Sequence, residues 1–202
     1  MTALKTKATG PPSSPDDEVC HYIACIDLRG RSCLVVGGGY IAHEKAQGLL
    51  DCGARVTVVA PDVKPEVEAL GVEVVARSYE RGDIEGRFLV VAATSNTAVN
   101  RAVFADAERA HILCNVADVP ELCSFILPAI HRESPIAIAV STGGASPALA
   151  QQIRADIAQR IGPEYAILAK RLRALRPWAK KRYPTYERRR DFFQRLVERS
   201  LP

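Results

Sequence analysis

No apolar run in this chain approaches the roughly 18 residues that crossing a bilayer takes, and no apolar core of the signal-peptide kind stands at the N-terminus. The first absence excludes a helical membrane span; the second leaves the cytoplasm as the expected location. Paired cysteines are missing too. The six cysteines, at 20, 25, 33, 52, 114 and 123, are scattered, and Cys33 and Cys114 fall in apolar stretches that read as buried strands. Reduced thiols are therefore expected, not a disulfide framework. Cys20-His21 with Cys25 matches no standard zinc spacing and no second pair follows, so the metal ligands stay unknown. None of the six tyrosines has a lysine four residues later, which removes the short-chain dehydrogenases.

What is present organises around Cys33-Leu-Val-Val-Gly37-Gly38-Gly39-Tyr40-Ile41-Ala42. A β-branched apolar run feeds a glycine turn, and an alanine-rich helical segment follows. This is the pattern of the first strand, phosphate loop and helix start of a dinucleotide-binding βαβ unit, with a purely structural glycine turn as the alternative. Gly37 permits the tight turn, Gly39 lets a pyrophosphate approach the backbone, and Ala42 lets the helix sit close to the strand. The anion would rest on unpaired N–H groups at the positive end of the helix, over Gly37–Ile41.

Residues 1–21 are rich in Pro, Ser, Thr and charge and read as a disordered tail. From 22 to 117 short strands alternate with helices: strands at 32–36, 55–60, 72–76, 88–93 and 112–117, helices at 40–52, 63–70 and 96–110. The continuous Val/Leu content of the first and fourth strands predicts burial on both faces of a parallel sheet, hence an α/β, Rossmann-type domain. After Asp118 the rhythm changes. Apolar segments at 125–130 and 136–141 have only His131–Pro135 between them, so 118–146 reads as an added antiparallel pair, a suitable dimerisation region. A helical module takes up 147–202. Its first helix opens on Ser146-Pro147 and carries Leu149, Ile153, Ile157 and Ile161 as one apolar stripe; two more helices follow at about 164–178 and 185–199.

Charge is uneven. From Lys170 onward there are 12 Lys/Arg and 3 Asp/Glu, while the whole chain is only +4. Such a segment suits a polyanionic partner, or is simply a solvated helix surface.

Ligands of open α/β sheets bind outside the carboxyl ends of the strands. The candidates there are Gly37–Gly39, Ala60-Pro61-Asp62, Thr94-Ser95-Asn96 and Asn115 to Asp118. The acidic residue that would hold an NAD ribose is displaced to Asp62, and no Arg follows at once to hold a 2′-phosphate, which favours NAD over NADP. Asp118 follows a buried strand and is placed for general-base work, or it initiates the turn before Val119-Pro120. Thr142-Gly143-Gly144 with Ser146 suits binding a carboxylate or phosphate, or simple helix capping.

Leu28-Arg-Gly-Arg, Val35-Val-Gly-Gly-Gly, Lys45, Gly53-Ala-Arg-Val-Thr-Val-Val-Ala-Pro61, Ala92-Ala-Thr94, Asn115-Val-Ala-Asp118, Pro120-Glu-Leu-Cys-Ser-Phe125, Pro128-Ala and Ser141-Thr-Gly-Gly-Ala-Ser-Pro147 occur in order. Over about residues 22–160 the chain resembles the precorrin-2 dehydrogenase/sirohydrochlorin ferrochelatase family of siroheme synthesis. The resemblance implies a homodimer with NAD as cofactor, oxidising precorrin-2 to sirohydrochlorin, and in some members inserting Fe2+ to give siroheme. It implies an acid/base role for Asp118, with Asn115 in the same motif, and places Ser141 and Thr142 by the tetrapyrrole. Ala42-His43-Glu44-Lys45 departs from the family's Ala-x-Arg-Lys, which removes one phosphate or substrate contact. No methyltransferase segment follows, so precorrin-2 is expected to come from elsewhere. The eight carboxylates of precorrin-2 would match the basic C-terminal module. The rival readings are a dehydrogenase working with a separate chelatase, and a nucleotide-sensing module whose basic end contacts nucleic acid; the motif series disfavours the second.

Overall fold

The computed structural model describes residues 21–200. The tail expected over 1–21 lies, but for His21, outside the described residues. Two compact units are present, one of Ile23–Leu127 and one that takes in 128–200.

The first unit is a parallel five-stranded sheet in the order β3-β2-β1-β4-β5, formed by β1 (Ser32–Val36), β2 (Arg55–Val59), β3 (Glu73–Val75), β4 (Leu89–Ala92) and β5 (Leu113–Val116). Helices α1 (Tyr40–Asp51), α2 (Pro65–Glu68) and α3 (Thr97–Ala110) connect the strands. Alternation along the strands sends side chains to two separate cores. Cys33, Val35, Val56, Val58 and Val91 pack with Ala42, Ala46 and Leu49 of α1, while Leu34, Val36, Val59, Val90 and Val116 pack with Val103 and Ala107 of α3. The burial on both faces that the unbroken apolar strands predict is thus present. Small residues at 42 and 46 let α1 lie close to the sheet. Gly53, at φ 81°, turns the chain out of α1, and its carbonyl accepts from Gly30 N–H at 2.8 Å.

Strand order reverses between β1 and β4, both of which start new directions across the sheet. The carboxyl ends there form the crevice where doubly wound folds take their ligands.

The segment 118–127, joined to the dimerisation region in the sequence reading, is bonded to the sheet unit instead. Cys114 N–H donates to Ser124 Oγ at 2.7 Å, and the Asn115 side-chain amide donates to the Phe125 carbonyl at 3.1 Å.

In the second unit β6 (Ala129–Glu133) and β7 (Ile136–Val140) form an antiparallel pair. The strand expected at 125–130 is therefore displaced: β6 runs through His131, Arg132 and Glu133, residues first read as a connection. Exposure alternates along its partner β7, where Ile136, Ile138 and Val140 are partly covered and Ala137 and Ala139 exposed, as a strand with one covered face requires. His131 is buried and its Nε2 donates to the Ile161 carbonyl at 2.7 Å. Helix α4 (Pro147–Arg160) packs on both strands. Its stripe is not the covered face: Leu149 is 52% exposed and Ile153 36%, while Ala150 is buried. A four-residue repeat drifts around a helix of 3.6 residues per turn, and here the small side chain makes the close approach. Helix α5 (Pro163–Arg182) runs about a turn past its expected end, with Pro177 inside it, and α6 (Tyr186–Ser200) follows. Trp178, Tyr183 and Phe192 hold the two helices together, with ring centroids 5.2 to 6.1 Å apart.

Candidate functional site

Each glycine of the first loop meets a different constraint. Gly37 has φ 128°, and a Cβ on it would stand 2.4 Å from the Ala93 carbonyl oxygen. Its N–H donates to the Val59 carbonyl at 2.9 Å, which ties the loop to the end of β2. A Cβ on Gly38 would stand 2.1 Å from the Asp62 carbonyl oxygen and 2.8 Å from Val63 Cα. The Gly38 carbonyl accepts from Lys64 N–H at 2.9 Å. These two positions can only be glycine because neighbouring backbone fills the space.

Gly39 differs. Among the described residues nothing lies within 4 Å of where its Cβ would be, and it is the N-cap of α1 with no side-chain cap. No acidic residue occupies the first turn of α1. The helix therefore starts with uncapped N–H groups and an uncompensated positive end, beside empty space. That combination fits the pyrophosphate of a dinucleotide, over Gly37 to Ile41.

At the end of β2, Ala60 is buried, with Pro61 and Asp62 exposed beyond it. The Asp62 carboxylate makes no ion pair among the described residues, so it is free to accept from a ribose. Sequence reasoning missed Lys64. Its backbone bond to Gly38 brings it beside the loop, and its ammonium lies 3.9 Å from the centre of the exposed Tyr40 ring. The only sequence signal was a lysine just after the displaced acid.

At the end of β4, the polar residues hold one another. Thr94 Oγ1 donates to Asn100 Oδ1 at 2.8 Å, and the Asn100 amide returns a bond to the Thr94 carbonyl at 2.9 Å. Asn96 caps α3 by accepting from Ala98 and Val99 N–H. Thr94 and Asn96 thus shape the rim of the crevice, and Ser95 between them is exposed.

At the end of β5, Ala117 N–H makes a last bond to the Ala92 carbonyl at 2.9 Å. The next residue, Asp118, takes φ 60°, in the left-handed region where a non-glycine residue is strained, though Asp tolerates it better than most. Its carboxylate is exposed and makes no bond among the described residues. Behind it the Cys123 thiol lies 3.3 Å from the Val116 and Val119 carbonyls, and burial pushes that thiol upward from its ordinary range. Asn115 is buried with its amide committed to Phe125, so its visible work is to anchor the 118–125 turn.

Gly37 to Ile41, Ala60 to Asp62, Thr94 to Asn96 and Asn115 to Asp118 are therefore brought to one edge of one sheet. Ser141, Thr142, Gly143, Gly144 and Ser146 belong to the other unit. There the Thr142 hydroxyl donates to the Ser146 carbonyl and accepts from Ser146 N–H, both at 3.1 Å, while Ser146 Oγ accepts from Leu149 N–H at 3.2 Å. Ser141 Oγ accepts from Gly143 N–H at 3.2 Å. The capping reading of this loop is realised, and Gly143 and Gly144, at φ 63° and 92°, give it its reversal.

Sheet order, loop and crevice together define a dinucleotide-binding Rossmann protein. A family model described as "Putative NAD(P)-binding" matches residues 24–129, and one described as "Sirohaem biosynthesis protein central" matches 134–160. A solved structure titled SirC, precorrin-2 dehydrogenase, superposes with TM-score 0.73 at 31% identity, covering 88% of this chain and 89% of that one. The chain belongs to the siroheme-biosynthesis family of NAD(P)-binding proteins that includes this dehydrogenase. Siroheme synthases of Thioalkalivibrio sulfidiphilus and Pseudomonas fluorescens are each 44% identical over 85% of the chain. The chain spans 36% and 38% of the length of those two relatives.

Proposed function

We propose that this chain oxidises precorrin-2 to sirohydrochlorin with NAD. The observation that carries the reading is the unpartnered Asp118 carboxylate, held at φ 60° on the same sheet edge as the uncapped glycine loop. Bound NAD supplies the hydride acceptor. Gly37–Ile41 hold its pyrophosphate and Asp62 its ribose, while Thr94 to Asn96 form the opposite rim. Asp118 takes up the proton that leaves as the substrate loses a hydride, so two hydrogens depart in balance. Ser141 to Ser146 present a Gly-rich turn suited to the substrate's carboxylates, which the family resemblance supports.

The assembly we infer is a homodimer, supported by the uncovered Leu149 and Ile153 of α4 and by the β6–β7 pair of the same unit. Among the described residues no helix is long and apolar enough to cross a membrane. Cys25, Cys33, Cys114 and Cys123 form no disulfide among the described residues, as a protein kept in a reducing cytoplasm would have it.

The test is anaerobic incubation of the purified protein with precorrin-2 and NAD. Sirohydrochlorin should form with one NADH each, and no turnover would overturn the reading. Adding Fe2+ afterwards asks whether metal insertion exceeds the rate without protein.

A further inference from the structure

The sheet's opposite edge holds a feature that the dehydrogenase reading does not use. At the amino ends of β1, β2 and β4 lies a cavity of about 350 Å3 whose charged lining is Arg31, Arg55 and Arg87, with no acidic residue among its lining side chains. Ser32 and the left-handed Gly30 and Gly86, both at φ 69°, complete it with a hydroxyl and bare backbone. None of the three arginines forms an ion pair among the described residues.

The nearby acids are already engaged. Asp27 is paired with Arg29 at 2.6 Å, and Asp83 with Arg77 at 2.6 Å. Glu73 lines the adjoining cavity, where it accepts from the Thr57 hydroxyl at 2.9 Å, and that hydroxyl accepts from Arg87 at 2.8 Å. Arg87 is the positioned member of the three. Its Nε donates to the Asp83 carbonyl at 3.0 Å and one terminal nitrogen to both Ser32 Oγ and Thr57 Oγ1, which leaves its second terminal nitrogen without a partner. Arg31 is steadied by the Phe88 ring, 5.1 Å from its centroid. Arg87 is partly buried and Arg31 and Arg55 are exposed; three guanidinium groups facing one cavity with no ion pair among the described residues repel one another, and a bound anion relieves that cost. The planar guanidinium fork matches phosphate oxygens two at a time. The cavity is too small for a tetrapyrrole and ample for a phosphate group.

We propose that the cavity between Arg31, Arg55 and Arg87 is a binding site for a phosphate-bearing small anion, at the end of the sheet remote from the glycine loop. The phosphate comes either free or on a mononucleotide. Arg87 supplies the oriented contact; Arg31 and Arg55 close over the anion from strand β1's lead-in and β2's first residue.

Titration of the full chain with inorganic phosphate and, separately, with AMP at constant ionic strength tests this, followed by amide resonances. Saturable shifts at Gly30, Ser32, Gly86 and Phe88 are expected. Saturation by both probes identifies the phosphate group as sufficient; saturation by AMP alone identifies the nucleotide as the source. The Arg31→Gln/Arg55→Gln protein should bind about tenfold more weakly or worse, since contacts to charged groups are the strong ones. Both residues are exposed and make no side-chain hydrogen bond among the described residues, so that variant should fold and keep wild-type NAD affinity. Shifts confined to Gly37–Tyr40, shifts that never saturate, or a double variant that binds like the wild type would each overturn the proposal.

Discussion

The two units of this chain bury very different things. In the sheet unit Leu34, Val35, Val58, Val59, Val90 and Val91 are essentially sealed from water on both faces of one sheet. Among the described residues of the other unit the buried ones are Ala150, Ala166, Ala179 and His131, while Leu149, Ile167, Leu175 and Trp178 stay at least 37% exposed. The first unit completes its hydrophobic core from its own sequence. The second leaves much of its apolar surface uncovered among the described residues, which suits the proposed homodimer. Fold stability and cofactor binding should therefore follow the first unit, and assembly the second.

That comparison can be broken in several places. The largest effect is expected at Asp118: Asp118→Asn should lower turnover by about 10²- to 10⁴-fold, with NAD affinity unchanged in a fluorescence titration. Unchanged turnover would move the chemistry away from the sheet edge. Next, Leu34→Ala should cost about 2–5 kcal/mol in denaturant unfolding. Ile153→Ala, on the open stripe, should stay within about 0.5 kcal/mol in dilute protein yet raise the concentration at which the proposed dimer sediments. If the two variants lose equal stability, the contrast between the units fails.

The glycine loop offers a finer test. Gly38→Ala forces a methyl against the Asp62 backbone and should destabilise the fold by about 1–3 kcal/mol. Gly39→Ala meets open space, so its melting temperature should hardly move while NAD binding weakens. The smallest effect concerns alkaline pH. The Cys114 thiol is pushed from its ordinary 9.0 up to about 12, chiefly by burial and further by Cys123. Above pH 9 the unfolded thiol sheds its proton while the folded one keeps it, so stability is complete below that pH and declines as pH rises toward 12. Cys114→Ala should make that decline shallower in pH-dependent thermal melts.

Much of the sheet unit was legible in the sequence, because glycine turns and unbroken Val/Leu runs mark buried parallel strands without any tertiary knowledge. The positions at the strand ends were legible for the same reason. Less readable was what the polar side chains there do. Thr94, Asn96, Thr142 and Ser146 have the same chemistry whether they meet a ligand or the protein's own groups, and here Asn96 and Ser146 cap helices while Thr94 bonds Asn100 and Thr142 bonds the Ser146 backbone. The displaced β6 has a similar cause: Phe125 to Pro128 look like strand by composition, but the Asn115 amide anchors Phe125 in a turn. Lys64 and the three arginines of the opposite edge were unreadable, since residues far apart in sequence meet only once the strands are in register.

The backbone bond from Lys64 to Gly38, with the glycine's missing Cβ filled by the chain at Asp62 and Val63, has one more consequence. The loop proposed to meet the pyrophosphate and the segment proposed to meet the ribose are already locked to each other as one piece. A dinucleotide arriving there has little backbone left to organise, so its affinity is spared an ordering penalty, and exchange of NADH for NAD need not wait for a loop to refold.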